Sequence, residues 1–198
     1  MDPERAEAGR LQPSADPRVL YVGSIFNRRH VPDLIRAVGA LARRRTAVSL
    51  DIAGDNRTFP HEDIARVIAA HGLEDRVRWH HYVSDRELQM LYGRARAFAF
   101  LSEYEGRGLP PLEALAVGVP PVVGDTAVAR ESCGDAALYA PVGDASAIAH
   151  ALERALFDED ERARVLAAAP ATLARYSWPR AAREMLAALE DAGQRRDW

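Results

Sequence analysis

Two glutamates, Glu105 and Glu113, lie eight residues apart and enclose the glycine-containing stretch Gly106-Arg-Gly108. Carboxylates can accept hydrogen bonds from paired hydroxyl groups, as sugars and riboses present them. Glycine lets the backbone approach a ligand closely, and the first N–H groups of a helix attract anions. Pro110 and Pro111 favour the first turn of such a helix. The stretch therefore predicts a site for a phosphate or for polarised hydroxyl groups.

Each glutamate, taken alone, also suits a purely structural role. Glu113 would complement a helix dipole as a first-turn acid or close a capping box, and Glu105 would be an ordinary exposed loop acid. The joint pattern, which continues as Leu109-Pro-Pro-Leu-Glu-Ala-Leu-Ala-Val-Gly-Val-Pro, is much more specific than an isolated Gly-x-Gly.

Apolar strand-like runs alternate with amphipathic helical stretches from Arg18 onwards. We expect strands at 19–22, 48–53, 77–79, 97–101, 119–123 and 137–139, with helices at 32–44, 61–70, 85–93 and 127–132. This alternation predicts an α/β fold, a single Rossmann-like doubly wound parallel sheet flanked by helices. Such sheets bind ligands at the carboxyl ends of their strands. The loops at 23–30, 54–60, 80–84 and 102–111 are therefore the ones expected to carry a site.

Three segments are expected along the chain. Residues 1–17 are proline-containing and polar, which predicts a flexible leader. Residues 18–178 form the Rossmann-like domain, and residues 179–198 a carboxyl-terminal helix. Asp144 and Asp158 suit helix N-caps, and Ser177-Trp-Pro179 suits the start of the last helix.

The bulk composition excludes several classes of protein. A chain of 198 residues with 48% hydrophobic content buries one sizeable core, and a net charge of -3 predicts no general attraction to nucleic acid. Cys133 is the single cysteine, which favours a reducing, cytoplasmic setting. The amino terminus is charged, and no apolar run reaches the roughly 20 residues of a membrane helix. We therefore expect neither a signal peptide nor a membrane span.

No metal site is expected. The six histidines are scattered, and the adjacent pair His80-His81 would point to opposite faces of a strand. Cys133 has no neighbouring base in the sequence, which favours a buried, inert thiol over a nucleophile.

The stretch from Glu105 to Glu113 resembles the hallmark of the retaining glycosyltransferases of family GT4, which have the two-Rossmann GT-B fold. Their carboxyl-terminal domains carry Glu-Gly-Phe-Gly-Leu-Pro-x-Leu-Glu-Ala, which this chain matches except at Arg107. The resemblance extends from about residue 18 to residue 178. It includes Tyr21-Val-Gly-Ser, Ile52-Ala-Gly-Asp, Tyr82-Val-Ser-Asp-Arg-Glu-Leu, Leu91-Tyr, Gly134-Asp-Ala-Ala-Leu, Pro141-Val-Gly-Asp and Tyr176-Ser-Trp.

The resemblance implies a role for each matching position. Glu105 would contact hydroxyls of the donor sugar, and Glu113 would hold the nucleotide ribose. The loop at Val83 would line the base through backbone groups. The sugar or the diphosphate would face the backbone of Gly106, Arg107, Gly108 and Leu109.

The family usually carries two cations on its first loop, which neutralise the departing diphosphate. Ser24 stands at the first of these positions, so one expected charge is missing, and Arg29 stands at the second with Arg28 beside it. Arg107 replaces an aromatic residue and either offers a guanidinium to phosphate or points into solvent. His30 either donates a hydrogen bond in this loop or has a surface role at a helix start.

The resemblance implies a domain that binds a UDP-, GDP- or ADP-sugar without a metal or other cofactor. The expected partners are this donor and an amino-terminal Rossmann domain that supplies the acceptor site, and transfer would need both domains. We expect a cytoplasmic protein that reaches the inner face of the membrane through that second domain. Self-association through the carboxyl-terminal helix is a further expectation.

Two alternatives from other classes stay open at this point. One is a non-catalytic module that keeps the fold and uses its surface for protein contacts, which the departures at Ser24 and Arg107 support. The other is a flavodoxin-like domain, which rests only on the alternation of strands and helices.

Overall fold

One parallel sheet organises the chain. The computed structural model describes residues 17–45, 47–106 and 108–194. Within these residues six strands pair in the order β3-β2-β1-β4-β5-β6. They are β1 (Arg18–Val22), β2 (Ser49–Ala53), β3 (Val77–His80), β4 (Ala97–Phe100), β5 (Pro121–Gly124) and β6 (Leu138–Ala140). This order is that of a dinucleotide-binding Rossmann sheet and differs from the flavodoxin order, which excludes the flavodoxin-like alternative. The predicted fold class is confirmed.

Helices cover both faces of the sheet. They are α1 (Val31–Ala42), α2 (Ile64–Ala70), α3 (Asp85–Arg94), α4 (Leu109–Ala116), α5 (Ala127–Cys133), α6 (Ala145–Phe157), α7 (Glu159–Ala174) and α8 (Trp178–Gln194). Right-handed crossovers place α1 and α2 on one face and α3, α4 and α5 on the other. Helix α6 packs against α1, and α7 packs against α4. The strands are consequently buried on both faces, as their near-continuous apolar sequences require.

The helix starts follow their capping residues. The carboxylate of Asp144 accepts hydrogen bonds from two backbone N–H groups of α6, and that of Asp158 does the same for α7, as predicted. The helix expected from residue 61 begins at Ile64 because the Asp63 carboxylate caps it there. Helix α8 begins at Trp178. The four residues at 195–198, and residues 1–16 of the leader expected at 1–17, lie outside the described residues.

The strand expected from residue 119 begins at Pro121. The N–H of Val119 instead donates to the Ala114 carbonyl at 2.9 Å, which closes the end of α4. Gly118 makes this possible because its φ of 81° is in the left-handed region that glycine adopts readily. Val119 and Pro120 thus follow the end of the helix and are not part of the strand.

The connection between β3 and β4 reverses the direction in which the sheet grows, because β4 pairs with β1. The loops that follow β1 and β4 are therefore neighbours at the carboxyl edge of the sheet. Open α/β sheets bind their ligands at such a switch point. Among the described residues, no helix combines the length and the apolar character needed to cross a membrane.

Candidate functional site

Two loops meet at the switch point, and the structure joins them through their backbones. The first loop spans residues 23–30 after β1, and the second spans residues 101–108 after β4. The N–H of Glu103 donates to the Arg28 carbonyl at 2.9 Å, and Arg28 Nε donates to the Tyr104 carbonyl at 3.2 Å. Arg28 also lies over the Phe26 ring, 4.6 Å from its centroid. Arg28 therefore holds the loops together, in addition to any contact with a ligand.

Arg29 and Glu105 form an ion pair between the loops. Arg29 Nε donates to Glu105 Oε1 at 2.9 Å, and the two side chains are 13% and 17% exposed. Arg29 Nη1 donates to the Ser24 carbonyl at 2.9 Å. Burial lowers the pKa of Arg29, but its hydrogen bond to Glu105 and its interaction with Tyr21 outweigh that effect and raise it. The guanidinium is thus permanently charged at the edge of the sheet.

The pocket that holds this guanidinium is built from a glycine and two rings. Gly23 has a φ of 137°, and a Cβ on it would lie 2.7 Å from Arg29 Nη1. The guanidinium carbon lies 5.1 Å from the centroid of the Phe100 ring and 5.5 Å from that of Phe26. A side chain at Gly23 would therefore displace Arg29, which explains why the first loop opens with glycine.

Ser24 contributes its backbone to the site. Its carbonyl accepts from Arg29 Nη1 and also from the Tyr21 hydroxyl at 3.0 Å. Burial raises the pKa of Tyr21 to about 12 despite the opposing charge of Arg29. Tyr21 therefore acts as a fixed neutral donor that orients the Ser24 carbonyl. Sequence reasoning missed this role, because a tyrosine within a strand is normally part of the core.

Glu105 has a second support that the sequence pattern did not reveal. Ser102 Oγ lies 2.9 Å from Glu105 Oε1 and 3.0 Å from the Tyr104 carbonyl, and Ser102 is buried. The hydroxyl carries one proton, so it donates to one of these oxygens at a time. Ser102 and Arg29 both approach the same oxygen of Glu105, which leaves Oε2 as the oxygen that a ligand hydroxyl can approach.

The helix that begins after the second loop has an open amino terminus. Gly108 is its N-cap with a φ of 64°, and no side chain caps the helix. Pro110 and Pro111 lie in its first turn, as predicted. The first N–H groups of any helix lack partners inside it and carry partial positive charge. Leu109 is half exposed and Gly106 is exposed, whereas Arg107 lies outside the described residues.

Glu113 is an exposed residue of α4. It is not in the first turn, which contains no acidic residue, and it is not at the position of a capping-box partner. Both structural interpretations of Glu113 are therefore wrong. Its contact is with α3, where the Tyr92 hydroxyl donates to Glu113 Oε2 at 3.4 Å. Burial and the nearby Glu113 carboxylate raise the pKa of Tyr92 well above its usual value, so this hydroxyl stays protonated.

Val83 lies in the loop after β3, immediately before helix α3. Its side chain is half-buried against the core, whereas that of Tyr82 is 89% exposed. Ser84 and Glu87 form a capping box that fixes this loop at the start of α3. The backbone of Val83 thus lies at the carboxyl edge of the sheet, in the loop that follows the strand two places from β1.

The histidine pair and the cysteine have structural contacts of their own. His80 Nε2 lies 2.9 Å from Asp51 Oδ1, whereas the ring of His81 lies 4.0 Å from that of Trp79. Within the described ranges, no group of three or more His, Cys, Asp or Glu side chains is arranged to hold a metal. Burial raises the pKa of the Cys133 thiol to about 11, so the thiol is protonated and unreactive near neutral pH.

The sequence matches a family model described as "Glycosyl transferases group 1" over residues 4–172. It is 32% identical over 160 residues to O-antigen chain mannosyltransferase B of Escherichia coli, covering 80% of this chain and 42% of that protein. It is 32% identical over 164 residues to the alpha-D-kanosaminyltransferase of Streptomyces kanamyceticus, covering 81% and 42%. The chain therefore spans about two fifths of the length of each of these relatives.

Solved structures share the fold. Anabaena HepE, determined with UDP and glucose, superposes with a TM-score of 0.78 at 20% identity, covering 96% of this chain and 53% of HepE. The carboxyl-terminal domain of a group 1 glycosyl transferase, LpcC of Francisella tularensis, gives a TM-score of 0.71 at 16% identity. That match covers 84% of this chain and 91% of the LpcC domain.

Proposed function

Because the chain belongs to the family of group 1 glycosyl transferases, we propose that it is the donor-binding part of a glycosyltransferase and holds a nucleoside-diphosphate sugar between its first and second loops. The observation that carries this proposal is the position of Arg29. Its guanidinium lies at the switch point of the sheet, beside Glu105 of the loop that leads into α4. Relatives named as mannosyl- and kanosaminyltransferases favour a hexose donor.

The diphosphate of the donor is proposed to lie between Arg29 and the amino terminus of α4. Arg29 supplies a full positive charge, and the N–H groups of Gly108 and Leu109 supply donors that need no reorganisation. Arg28 adds charge to the same edge. These groups replace the counter-ion that a metal would provide, and they stabilise the diphosphate as the bond between it and the sugar C1 breaks. Arg107 is proposed as a further contact.

The two glutamates are proposed to bind the parts of the donor on either side of the diphosphate. Glu105 accepts hydrogen bonds from sugar hydroxyls through Oε2, and Glu113 accepts them from the ribose. The backbone at Val83 lines the base. The acceptor hydroxyl then forms the new bond to C1 with retained anomeric configuration as the bond from C1 to the diphosphate breaks, and its proton passes to the departing nucleoside diphosphate.

Transfer is proposed to need further polypeptide that supplies the acceptor site, since the chain covers 42% of each of the two relatives described above. We expect the chain alone to bind the donor and to transfer little. We propose a cytoplasmic setting, with the membrane reached through that further domain.

Calorimetric titration of the full chain with UDP, GDP, ADP and their sugars tests the proposal. We expect one of the three bases to bind with a measurable affinity, and the nucleotide sugar to bind at the same site in competition with it. Absence of binding at millimolar ligand would sink the donor-site proposal and would favour a non-catalytic interaction module.

The Arg29–Glu105 ion pair predicts opposite effects of one substitution on the binding of the nucleotide and on the preference for the sugar. A bound diphosphate must compete with Glu105 for the guanidinium, so Glu105→Gln removes a competing charge. We expect UDP or GDP to bind the variant about threefold to tenfold more tightly, which corresponds to roughly 1 kcal/mol. The variant should also lose part of the preference for the nucleotide sugar over the free nucleotide, because the amide is a weaker acceptor for hydroxyls.

Parallel titrations of both ligands into Glu105→Gln and the native chain provide the measurement. Glu131→Gln is a matched control, since Glu131 is an exposed acid on α5 and the charge change is the same. Weaker nucleotide binding by Glu105→Gln would contradict the idea that Glu105 competes with the diphosphate.

Helix α8 is proposed to associate with a second copy of the chain. Four of its large apolar side chains are more than half exposed: Trp178 at 74%, Met185 at 63%, Leu186 at 57% and Leu189 at 63%. Burying a leucine contributes about 1.5–3 kcal/mol, so pairing two such faces is favourable. We expect a concentration-dependent dimer in sedimentation velocity.

The variant Leu186→Gln/Leu189→Gln should be monomeric at the concentrations where the native chain is dimeric. Glu184→Gln/Glu190→Gln is the control, because it changes two polar residues of the same helix. A native chain that is monomeric throughout, or a double-leucine variant that dimerises equally well, would rule out association through α8.

A further inference from the structure

His30 ends the first loop in a backbone conformation that disfavours histidine. Its φ is 51° and its ψ is 35°, and it is the one non-glycine residue with positive φ that the structure describes. Such a conformation costs of order 1–3 kcal/mol for a residue with a Cβ and persists where the surroundings enforce it. Glycine would adopt it freely. The contacts of its side chain are therefore the first place to look for what holds His30 in this conformation.

Both ring nitrogens of His30 contact carboxylates. Nδ1 lies 2.8 Å from Asp33 Oδ2 in the first turn of α1, and Nε2 lies 2.8 Å from Glu103 Oε1 in the second loop. A neutral imidazole has one N–H and can donate to only one of these acceptors, whereas the imidazolium donates to both. The bridge between α1 and the second loop is consequently complete only in the protonated form.

The charged groups around His30 favour the imidazolium. Burial lowers the pKa of His30, but the hydrogen bonds to Asp33 and Glu103 and their charges outweigh it and raise the pKa above its usual value. Asp33 is also paired with Arg36 at 2.6 Å. Arg28 and Arg29 precede His30 in the chain, and both carry the same positive charge as the imidazolium.

Other titratable groups face His30 from the neighbouring elements. A cavity of about 660 Å³ between α1 and α2 is lined by His30 together with His61, Glu62, Asp63 and Arg66. The loop before α6 also packs against the ring, whose Cε1 lies 3.9 Å from the position of a Cβ on Gly143. The neighbouring Asp144 carboxylate is engaged with the N–H groups of α6.

Glu103 lies two residues before Glu105, and its N–H is already bonded to the first loop through Arg28. A contact that fixes the Glu103 side chain therefore also restrains the backbone that carries Glu105. We propose that His30 is a positioning residue, whose protonated ring clamps the second loop onto the first and so orders the backbone that carries Glu105 and leads to the amino terminus of α4. The consequence for nucleotide binding rests on the function proposed above, whereas the clamp itself does not.

The pH dependence of the clamp follows from the direction of its pKa shift. Because the folded pKa is raised, the clamp is complete below about 6.5, the ordinary value for histidine. It is lost as the pH rises through the higher pKa of the folded state. The second loop should then move more freely, and a site that must hold a diphosphate should be less ordered.

The test uses the full chain and three variants at pH 5.5 to 8.5. His30→Gly suits the backbone and removes both contacts. Glu103→Gln keeps the backbone contact and removes the acceptor charge, and His150→Gln is the control, because His150 is an exposed histidine on α6. Two readouts are needed: amide hydrogen exchange of residues 102–105 without ligand, and the affinity of UDP, GDP and pyrophosphate by calorimetry.

In the native chain and in His150→Gln, amide exchange of residues 102–105, corrected for the intrinsic rate at each pH, should increase as the pH rises. In His30→Gly and Glu103→Gln it should be fast at every pH. Nucleotide and pyrophosphate affinity at pH 6 should fall about fivefold to tenfold in these two variants, because the backbone that leads to the donors of Gly108 and Leu109 becomes less ordered. This is the scale of one ordinary hydrogen bond. His30→Gly should nevertheless retain its melting temperature, since relief of the backbone strain at position 30 offsets the loss of the two hydrogen bonds.

The outcomes distinguish the two proposals. Corrected exchange that is independent of pH, or equal in the native chain and His30→Gly, overturns the clamp even if nucleotides bind. Exchange that follows the expected pattern without binding of any of the three probes supports the clamp and contradicts the donor-site proposal. Nucleotide binding that His30→Gly leaves unchanged at pH 6 overturns the positioning role.

Discussion

Replacing Arg29 by methionine is expected to weaken the binding of UDP or GDP by about tenfold to a hundredfold. A hydrogen bond to a charged group contributes about 1.5–3 kcal/mol, and each 1.4 kcal/mol corresponds to a factor of ten. Arg29 is the cation that the two loops hold at the edge of the sheet, and Ser24 supplies only a carbonyl where the family usually has a second cation. Arg28 adds charge to the same edge, but its side chain is engaged with the Tyr104 carbonyl and the Phe26 ring.

Methionine is chosen because it retains an apolar stem to pack against Phe26 and Phe100. Glu105 keeps the hydrogen bond from Ser102, so the carboxylate is not left without a partner. The substitution removes two hydrogen bonds of Arg29, to Glu105 and to the Ser24 carbonyl. Stability should therefore fall by about 1–3 kcal/mol. Thermal unfolding of the variant separates this effect from the loss of affinity.

Arg130→Met is the matched control for this variant. Arg130 also forms an ion pair, with Asp125, but both partners are exposed; Asp125 lies in the β5–α5 connection and Arg130 in α5. Isothermal titration of the two variants and the native chain with the same nucleotide measures the difference. If Arg29→Met binds as tightly as Arg130→Met, the diphosphate is not held by Arg29.

The sequence predicted the parts of the fold that depend on local chemistry. Alternating apolar runs predicted the parallel sheet, and Asp144 and Asp158 predicted two helix starts because a capping carboxylate acts on its own helix. Pro110 and Pro111 predicted the start of α4 because proline favours the first turn of a helix. The loops at the carboxyl edge followed from the sheet type alone.

The contacts between the loops could not be predicted, because they join residues far apart in the sequence. Arg29 and Glu105 are separated by 76 positions, and His30 and Glu103 by 73. Sequence patterns predicted a role for Arg29 toward phosphate and for Glu105 toward sugar, but not that the two neutralise each other without a ligand. The orientation of an arginine in a loop depends on its three-dimensional neighbours, here the open space at Gly23 and the ring of Phe100.

Glu113 shows how the position of a residue within a helix decides its interpretation. As a first-turn acid it would have a structural role at the helix dipole. The helix begins at Leu109, which places Glu113 beyond the first turn and near the Tyr92 hydroxyl of α3. No pattern within the stretch itself identifies Tyr92, since the two residues are brought together only by the packing of α3 and α4 on one face.

Gly54 is the described glycine at which an added Cβ meets the closest neighbouring atom. It follows β2 with a φ of 148°, and a Cβ on it would lie 2.1 Å from the Gly23 carbonyl oxygen. The Cβ position is fixed by the backbone of residue 54, and the Gly23 oxygen is a backbone atom. No side-chain rotation can therefore relieve the contact. The N–H of Gly54 donates to the His80 carbonyl at 2.8 Å, and its own carbonyl accepts from Trp79 Nε1 at 2.8 Å, which leaves the chain little room to move.

Gly54→Ala is therefore expected to destabilise the chain by about 3 kcal/mol or more, the range of strained backbone combined with overpacking. For a domain of this size, that corresponds to a fall in melting temperature of roughly 6–12 °C. Gly72→Ala is the control, because Gly72 also has positive φ, 61°, but a Cβ there meets nothing within 4 Å. Backbone strain alone should cost it about 1–2 kcal/mol.

The same substitution should also affect the binding site. A Cβ at position 54 would press on Gly23, the residue that makes room for Arg29. Any relief of the contact moves the Gly23 backbone, and the Arg29 guanidinium lies against Gly23. Nucleotide affinity should thus fall in Gly54→Ala and remain native in Gly72→Ala, measured at a temperature where both variants are folded. A Gly54→Ala chain that melts with the control and binds normally would mean that the first loop can shift without cost, and that its backbone does not fix Arg29.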